Sequence, residues 1–174
     1  EVMRLSPRNL DYRVTRAIVL MLQGRWAEAG READRALETA PWDTNNMLCL
    51  RVYLPMIHLM RNEQAEYRAA FAALKARDLN PAWRLVAGAI ENPQRYDASL
   101  AMLQNNANAR CLLITCGALR AETEGDYTRA EELYMQVIGT EAFMPFLEYY
   151  LADARLRVVA PLAAIQKTAA PADF

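Results

Sequence analysis

Residues 20–41, LMLQGRWAEAGREADRALETAP, decide the fold. Ala17, Leu20 and Met21 before the single Gly24, and Trp26, Ala29, Ala33, Ala36 and Leu37 after it, give apolar stripes at i, i+3, i+4 and i+7 on two successive helices. A glycine between two such stripes is a turn, and the Pro41 that closes the second stripe cannot continue a helix.

Moving outward, Pro41 has counterparts in RLSPRN at Pro7 and DLNPAW at Pro81, at spacings of 34 and 40 residues. The stretch 122–143, ETEGDYTRAEELYMQVIGTEAF, repeats the turn: Gly125, Asp126, Tyr127, Ala130, Tyr134 and Val137 take the corresponding places, with Gly139 where the proline would stand. A third unit, YRAAFAALKARDLNP, supplies Ala69, Ala73, Ala76 and Pro81, but its turn is Arg61-Asn62-Glu63, without Gly-x-aromatic. A fourth and shorter unit starts at Ala82, is broken at Asn92-Pro93 and resumes from Tyr96 to Gln104.

On Gly24, Trp26, Ala29, Ala36 and Pro41, and again on Gly125, Tyr127 and Ala130, the chain resembles the tetratricopeptide repeat superfamily over roughly residues 1 to 140. The resemblance implies an all-α fold, an α-solenoid of antiparallel helix pairs, with small residues where paired helices approach most closely: Ala29, Ala36, Ala69, Ala76 and Ala130. Helices are expected at about 8–22, 26–39, 44–61, 64–78, 82–91, 94–104, 109–123, 127–138 and 141–159. Helix starts are marked by Ser6 before Pro7 and by Asp43. Residues 1–160 form the repeat domain and 161–174 a flexible tail. The opening EVMRLSPRN reads as the end of a preceding unit, which suggests a fragment of a longer protein. The last helix should cover the end of the array with Phe143, Phe146, Leu147, Tyr150, Leu151, Ala154 and Val158, turning Glu148, Asp153, Arg155 and Arg157 to solvent.

Charge and chemistry narrow the function. The chain has 174 residues, of which 53% are hydrophobic, and a net charge of −1, so no global field draws it to nucleic acid or an anionic membrane. Arg8, Arg13, Arg16, Arg25, Arg31 and Arg35 interleave with Asp11, Glu28, Glu32, Asp34 and Glu38, as on a solvated face of ion pairs. No run of about 18 apolar residues occurs, and Cys49, Cys111 and Cys116 lack metal-site spacing. Unbonded thiols without a leader point to a cytoplasmic protein. His58, the single histidine, has no Cys or carboxylate at i±3 or i±4, which disfavours a base or ligand role. The acidic group Glu122, Glu124, Asp126, Glu131 and Glu132 surrounds a helix start, where carboxylates suit the dipole. No glycine-rich phosphate loop is present, and neither catalytic residues, a cofactor nor a metal is expected.

What the resemblance implies instead is a surface for a protein or peptide. The family's groove offsets fall on Asp11, Val14, Ile18, Met21 and Leu22, then on Asn45, Leu48, Val52, Pro55 and Met56, and last on Leu112, Thr115, Leu119, Glu122 and Thr123. The expected partner-binding set is therefore Val14, Ile18, Met21, Asn45, Leu48, Val52, Met56, Leu112, Thr115 and Leu119, an apolar concave groove suited to an amphipathic helix. These side chains equally suit packing within the chain. The alternative function is a regulatory or dimerisation domain of a larger bacterial protein, such as a transcriptional regulator or secretion component, which allows a homodimer.

Overall fold

The computed structural model describes residues 10–39 and 45–169, and side chains over 12–38 and 47–169. Ser6, Pro7, Pro41 and Asp43 lie outside the described residues, as do the side chains of Asp11 and Asn45 and the tail from 170. Among the described residues every regular element is helical: α1 (Leu10–Leu22), α2 (Trp26–Thr39), α3 (Asn45–Met60), α4 (Gln64–Lys75), α5 (Pro81–Glu91), α6 (Tyr96–Met102), α7 (Ala107–Thr123), α8 (Tyr127–Ile138) and α9 (Leu147–Ala169). Short 3-10 turns at Pro93–Arg95 and Glu141–Phe143 precede α6 and α9. The chain divides into two compact units, residues 1–76 and 77–174, and within each unit consecutive helices pack on one another.

In the first unit α1 pairs with α2 and α3 with α4, while α3 also lies against both α1 and α2. The linkers between paired helices are only a few residues long, which forces antiparallel neighbours. In the second unit α7 pairs with α8, and α9 packs on α8 and touches α7. The trio α7, α8 and α9 thus repeats the relation among α1, α2 and α3. The helix α5 also packs on α7, and its carbonyl at Ile90 accepts 2.6 Å from Arg120 Nη1.

The turns inside these pairs share one backbone. Gly24 (φ 69°) and Gly125 (φ 76°) are left-handed, and so is Asn62 (φ 60°). At each, the left-handed residue's N–H bonds three residues back and the next N–H bonds five back. These are Gly24 to Met21 (2.9 Å) and Arg25 to Leu20 (2.8 Å), Asn62 to Leu59 (2.9 Å) and Glu63 to His58 (2.9 Å), and Gly125 to Glu122 (3.2 Å) and Asp126 to Ala121 (2.9 Å). This is the helix-ending Schellman pattern, which glycine adopts most easily and asparagine next. The third unit therefore has the same turn without its sequence signature.

Helix starts are set by side chains that accept an otherwise unpaired N–H: Asn80 from Trp83 (3.0 Å), Asn106 from Ala109 (3.1 Å) and Asp126 from Arg129 (3.0 Å). Ala29, Ala36 and Ala130 are fully buried, as close helix approach requires. Ala69 and Ala76 are exposed, which corrects the expectation for the third unit. There α4 turns Phe71 and Leu74 inward instead, so the larger side chains make the contact and the alanines face out.

The end of the second unit differs most from the sequence reading. The helix does not stop near 159 with a loose tail from 161: α9 runs through Pro161 to Ala169. An interior proline costs a hydrogen bond, and the following turns are held by contacts the sequence pattern does not reveal. Gln166 Oε1 accepts 3.0 Å from the Thr128 N–H, and Gln166 Nε2 donates 3.1 Å to the Gly125 carbonyl. Lys167 pairs with Glu131, and Ala163 is fully buried.

Candidate functional site

The predicted groove residues can be placed one by one. Val14, Ile18 and Met21 on α1, Leu48, Val52 and Met56 on α3, and Leu112, Thr115 and Leu119 on α7 are all buried. Thr115 gives its hydroxyl to the Cys111 carbonyl at 3.0 Å, completing the satisfaction of a buried polar group inside α7. Side chains packed in this way hold helices together and present no open surface to a peptide, so these positions do not form an accessible groove.

The ionisable candidates are also engaged with one another. His58 Nδ1 lies 2.9 Å from Glu63 Oε2, and Arg61 Nη2 lies 2.6 Å from Glu63 Oε1. A search at i±3 and i±4 misses this carboxylate, because the left-handed Asn62 folds the chain back and brings residue i+5 to the ring. Glu32 is buried on α2 rather than solvated, with Arg13 (4.0 Å), Arg16 (3.7 Å) and Arg35 (3.3 Å) around it. In the acidic group, Asp126 caps α8, Glu124 pairs with Arg120 and Glu132 with Arg129. Among the described residues no set of three His, Cys, Asp or Glu side chains is placed to hold a metal ion, and no helix is long and apolar enough to cross a membrane. Cys49, Cys111 and Cys116 form no disulfide.

Glu122 is the decisive member of that acidic group. Arg155 on α9 reaches it with two nitrogens, Nη2 to Oε1 and Nε to Oε2 (3.2 Å), and Tyr134 on α8 donates its hydroxyl to Oε2 at 3.0 Å. The ion pair is about nine-tenths buried, with 10% of each side chain exposed. Burial pushes the Tyr134 hydroxyl well above its ordinary pKa, and the neighbouring Glu122 charge adds to the rise. Desolvation opposes the Arg155 charge, but hydrogen bonding and attraction to Glu122 outweigh it and raise that pKa. One carboxylate thereby joins α7, α8 and α9.

This network fixes the rotation of α9 and corrects the capping-helix expectation. Arg155 and Glu148, assigned to solvent by the sequence pattern, are buried together with Leu151, Ala152, Val159 and Ala163. Leu147, Tyr150 and Val158, assigned to the covering face, are instead exposed, and Leu162 and Ile165 continue their row at 37% and 64% exposure. On a helix these residues and Ala154 fall in a stripe about 120° wide, centred about 100° from the buried face. Isolated exposed leucines need no explanation, but a continuous apolar row does. The stripe is the candidate functional surface. Two members of the expected covering row, Phe143 in the 3-10 turn before α9 and Leu151 on α9, are buried as expected. No family model, curated protein or solved structure matches the chain.

Proposed function

We propose that the chain is a non-catalytic protein-interaction module of tetratricopeptide type, and that it engages an amphipathic helix through the outer face of α9. The observation that carries this reading is the exposed row Leu147, Tyr150, Val158, Leu162 and Ile165 on a helix whose other face is already locked by Arg155. The recurrence of one helix trio, α1/α2/α3 and α7/α8/α9, and of one left-handed turn at Gly24, Asn62 and Gly125, supports the solenoid assignment. In that arrangement α9 stands where the first helix of a further pair would stand, and its apolar stripe is where a second helix would pack. An interaction role fits the side-chain inventory too, since His58, Glu122, Glu124, Asp126 and Glu132 are engaged in caps and ion pairs.

The test is selection of displayed helical peptides against the full chain. Amphipathic sequences should be enriched, and Val158→Arg should abolish their binding while leaving circular dichroism unchanged. Failure to enrich any helix, or binding that survives Val158→Arg, would overturn the reading.

A further inference from the structure

We infer that the last turns of α9, residues 161–169, form a latch that opens at Pro161 as one unit while the rest of α9 stays in place, and that its opening uncovers the turn between α7 and α8. The latch acts through the inner side of α9, whatever the outer face binds. Pro161 is the hinge. Proline has no N–H, so the Arg157 carbonyl loses the helical bond that residue 161 would otherwise give it. Up to this point the inner face of α9 buries Leu151, Arg155 and Val159. Past it Ala163 is the single buried residue, and every other position from 161 to 169 is exposed. A stretch this short does not persist as a helix without packing, since about 12–15 residues are needed for even marginal stability in water. Once released from α8, these turns therefore lose their structure together.

The first unit holds a counterpart that shows what a firm version looks like. Its α3 also carries an interior proline, Pro55. Two residues after Pro55 and Pro161 stand the fully buried Ile57 and Ala163, and six residues after them the cations Arg61 and Lys167. Each cation reaches the second helix of its trio six residues past a left-handed glycine: a Cβ built at Gly30 would stand 3.4 Å from Arg61 Nη1, and Lys167 pairs with Glu131. Beyond Pro55 the chain is clamped, because Met56 and Ile57 are both buried and the Asn62 turn ties the helix end to the His58 and Leu59 carbonyls. Beyond Pro161 a methyl group stands where α3 has an isoleucine side chain. The proline that α3 tolerates is thus a weak point in α9.

What closes the latch is polar. The Gln166 side-chain amide sits across the turn as a peptide group would: Oε1 accepts 3.0 Å from the Thr128 N–H and 3.3 Å from the Thr128 hydroxyl, and Nε2 donates 3.1 Å to the Gly125 carbonyl. Thr128 lies in the first turn of α8, where the helix itself supplies no acceptor, so its N–H depends on Gln166. These bonds and the Lys167–Glu131 pair are largely exposed, and such contacts are individually weak. Opening leaves the Gly125 carbonyl, the Thr128 N–H and the Glu131 carboxylate together at the start of α8. An acceptor and a donor then stand at the spacing of one amide group, masked when the latch is closed and presented when it is open.

The measurement is amide hydrogen exchange of the full chain, read residue by residue by NMR. Ala163, Ala164, Ile165, Gln166 and, on the other helix, Thr128 should share one protection factor, about a hundredfold below that of Leu151 to Val159. Pro161→Ala, at an exposed position, should restore the missing bond and raise all five together by at least about tenfold. Gln166→Ala should lower the protection of Ala163, Ala164 and Ile165 about fivefold and remove that of Thr128. Protection that climbs smoothly from Lys167 back through Leu156, with no step at Pro161, is ordinary fraying of a helix end and overturns the inference. A Thr128 amide that does not follow Ala163 when Pro161 is replaced overturns it too, because the turn would then be held independently of the latch. Ala163 to Gln166 as well protected as Leu151 to Val159 would show that the segment does not open by itself, and would overturn it equally.

Discussion

Replacing Arg155 by methionine leaves the Glu122 carboxylate with Tyr134 as its remaining partner in the network, in a site where about nine-tenths of the side chain is out of water. Loss of one member of a buried, hydrogen-bonded pair costs roughly 3–5 kcal/mol, because the other charge stays desolvated. Replacing both charges with apolar groups of similar size removes that penalty, so Glu122→Met/Arg155→Met should lie within about 1–2 kcal/mol of the parent, or above it. With either single loss costing about 3–5 kcal/mol and the double about 1–2, the interaction term between the two sites should be at least about 4 kcal/mol, far larger than for separated positions. Urea unfolding reports this best in a Trp26→Phe/Trp42→Phe background, where Trp83 is the remaining tryptophan and sits in the second unit. An Arg155→Met cost below about 1 kcal/mol, or a double variant as unstable as the sum of the singles, would refute the reasoning that this network fixes α9.

Three further outcomes follow from the same physics. Because burial and then the Glu122 charge raise the Tyr134 pKa, the folded state keeps a proton that the unfolded chain releases above about pH 10. Stability from this group is complete below pH 10 and falls as pH rises further, by up to about 1.4 kcal/mol per unit. Tyr134→Phe should shed that part of the alkaline loss, as read by urea midpoints between pH 9 and 11.5. Ala29→Leu, Ala36→Leu and Ala130→Leu should each overpack by about 1–3 kcal/mol, whereas Ala69→Leu, on the exposed side of α4, and Ala76→Leu, at the exposed residue that caps its end, should stay within about 0.5 kcal/mol of the parent in thermal melts. At the left-handed turns, Gly125→Ala should lose about 1–2 kcal/mol from backbone conformation alone, since nothing stands within 4 Å of the added carbon. Asn62→Gly, at φ 60°, should be neutral or slightly stabilising, and a clear loss there would show that the asparagine side chain matters.

The sequence by itself determined the helices and their pairing. Period-3.6 stripes, single-glycine turns and the alanines at 29, 36 and 130 are local or near-local signals, and the helix bounds up to Ile138 follow from them within a few residues. It also determined which residues are apolar, but not which of two apolar faces a helix buries. On α9 the row through Leu147, Tyr150, Val158 and Ile165 and the row through Leu151, Val159 and Ala163 both satisfy helical spacing. Only the tertiary structure decided between them, because the choice depends on Glu122 and Tyr134, more than twenty residues away, whose hydrogen bonds require Arg155 to face inward. The same holds for Gln166 and Lys167, polar residues that look like a tail until Thr128, Gly125 and Glu131 are brought to meet them. It holds also for the expected groove, since Val14, Leu48, Val52 and Leu112 have the spacing of a lining and of a core alike. Periodicity specifies a helix face only up to its partner, and the partner's polar atoms, which must be satisfied once buried, choose the rotation.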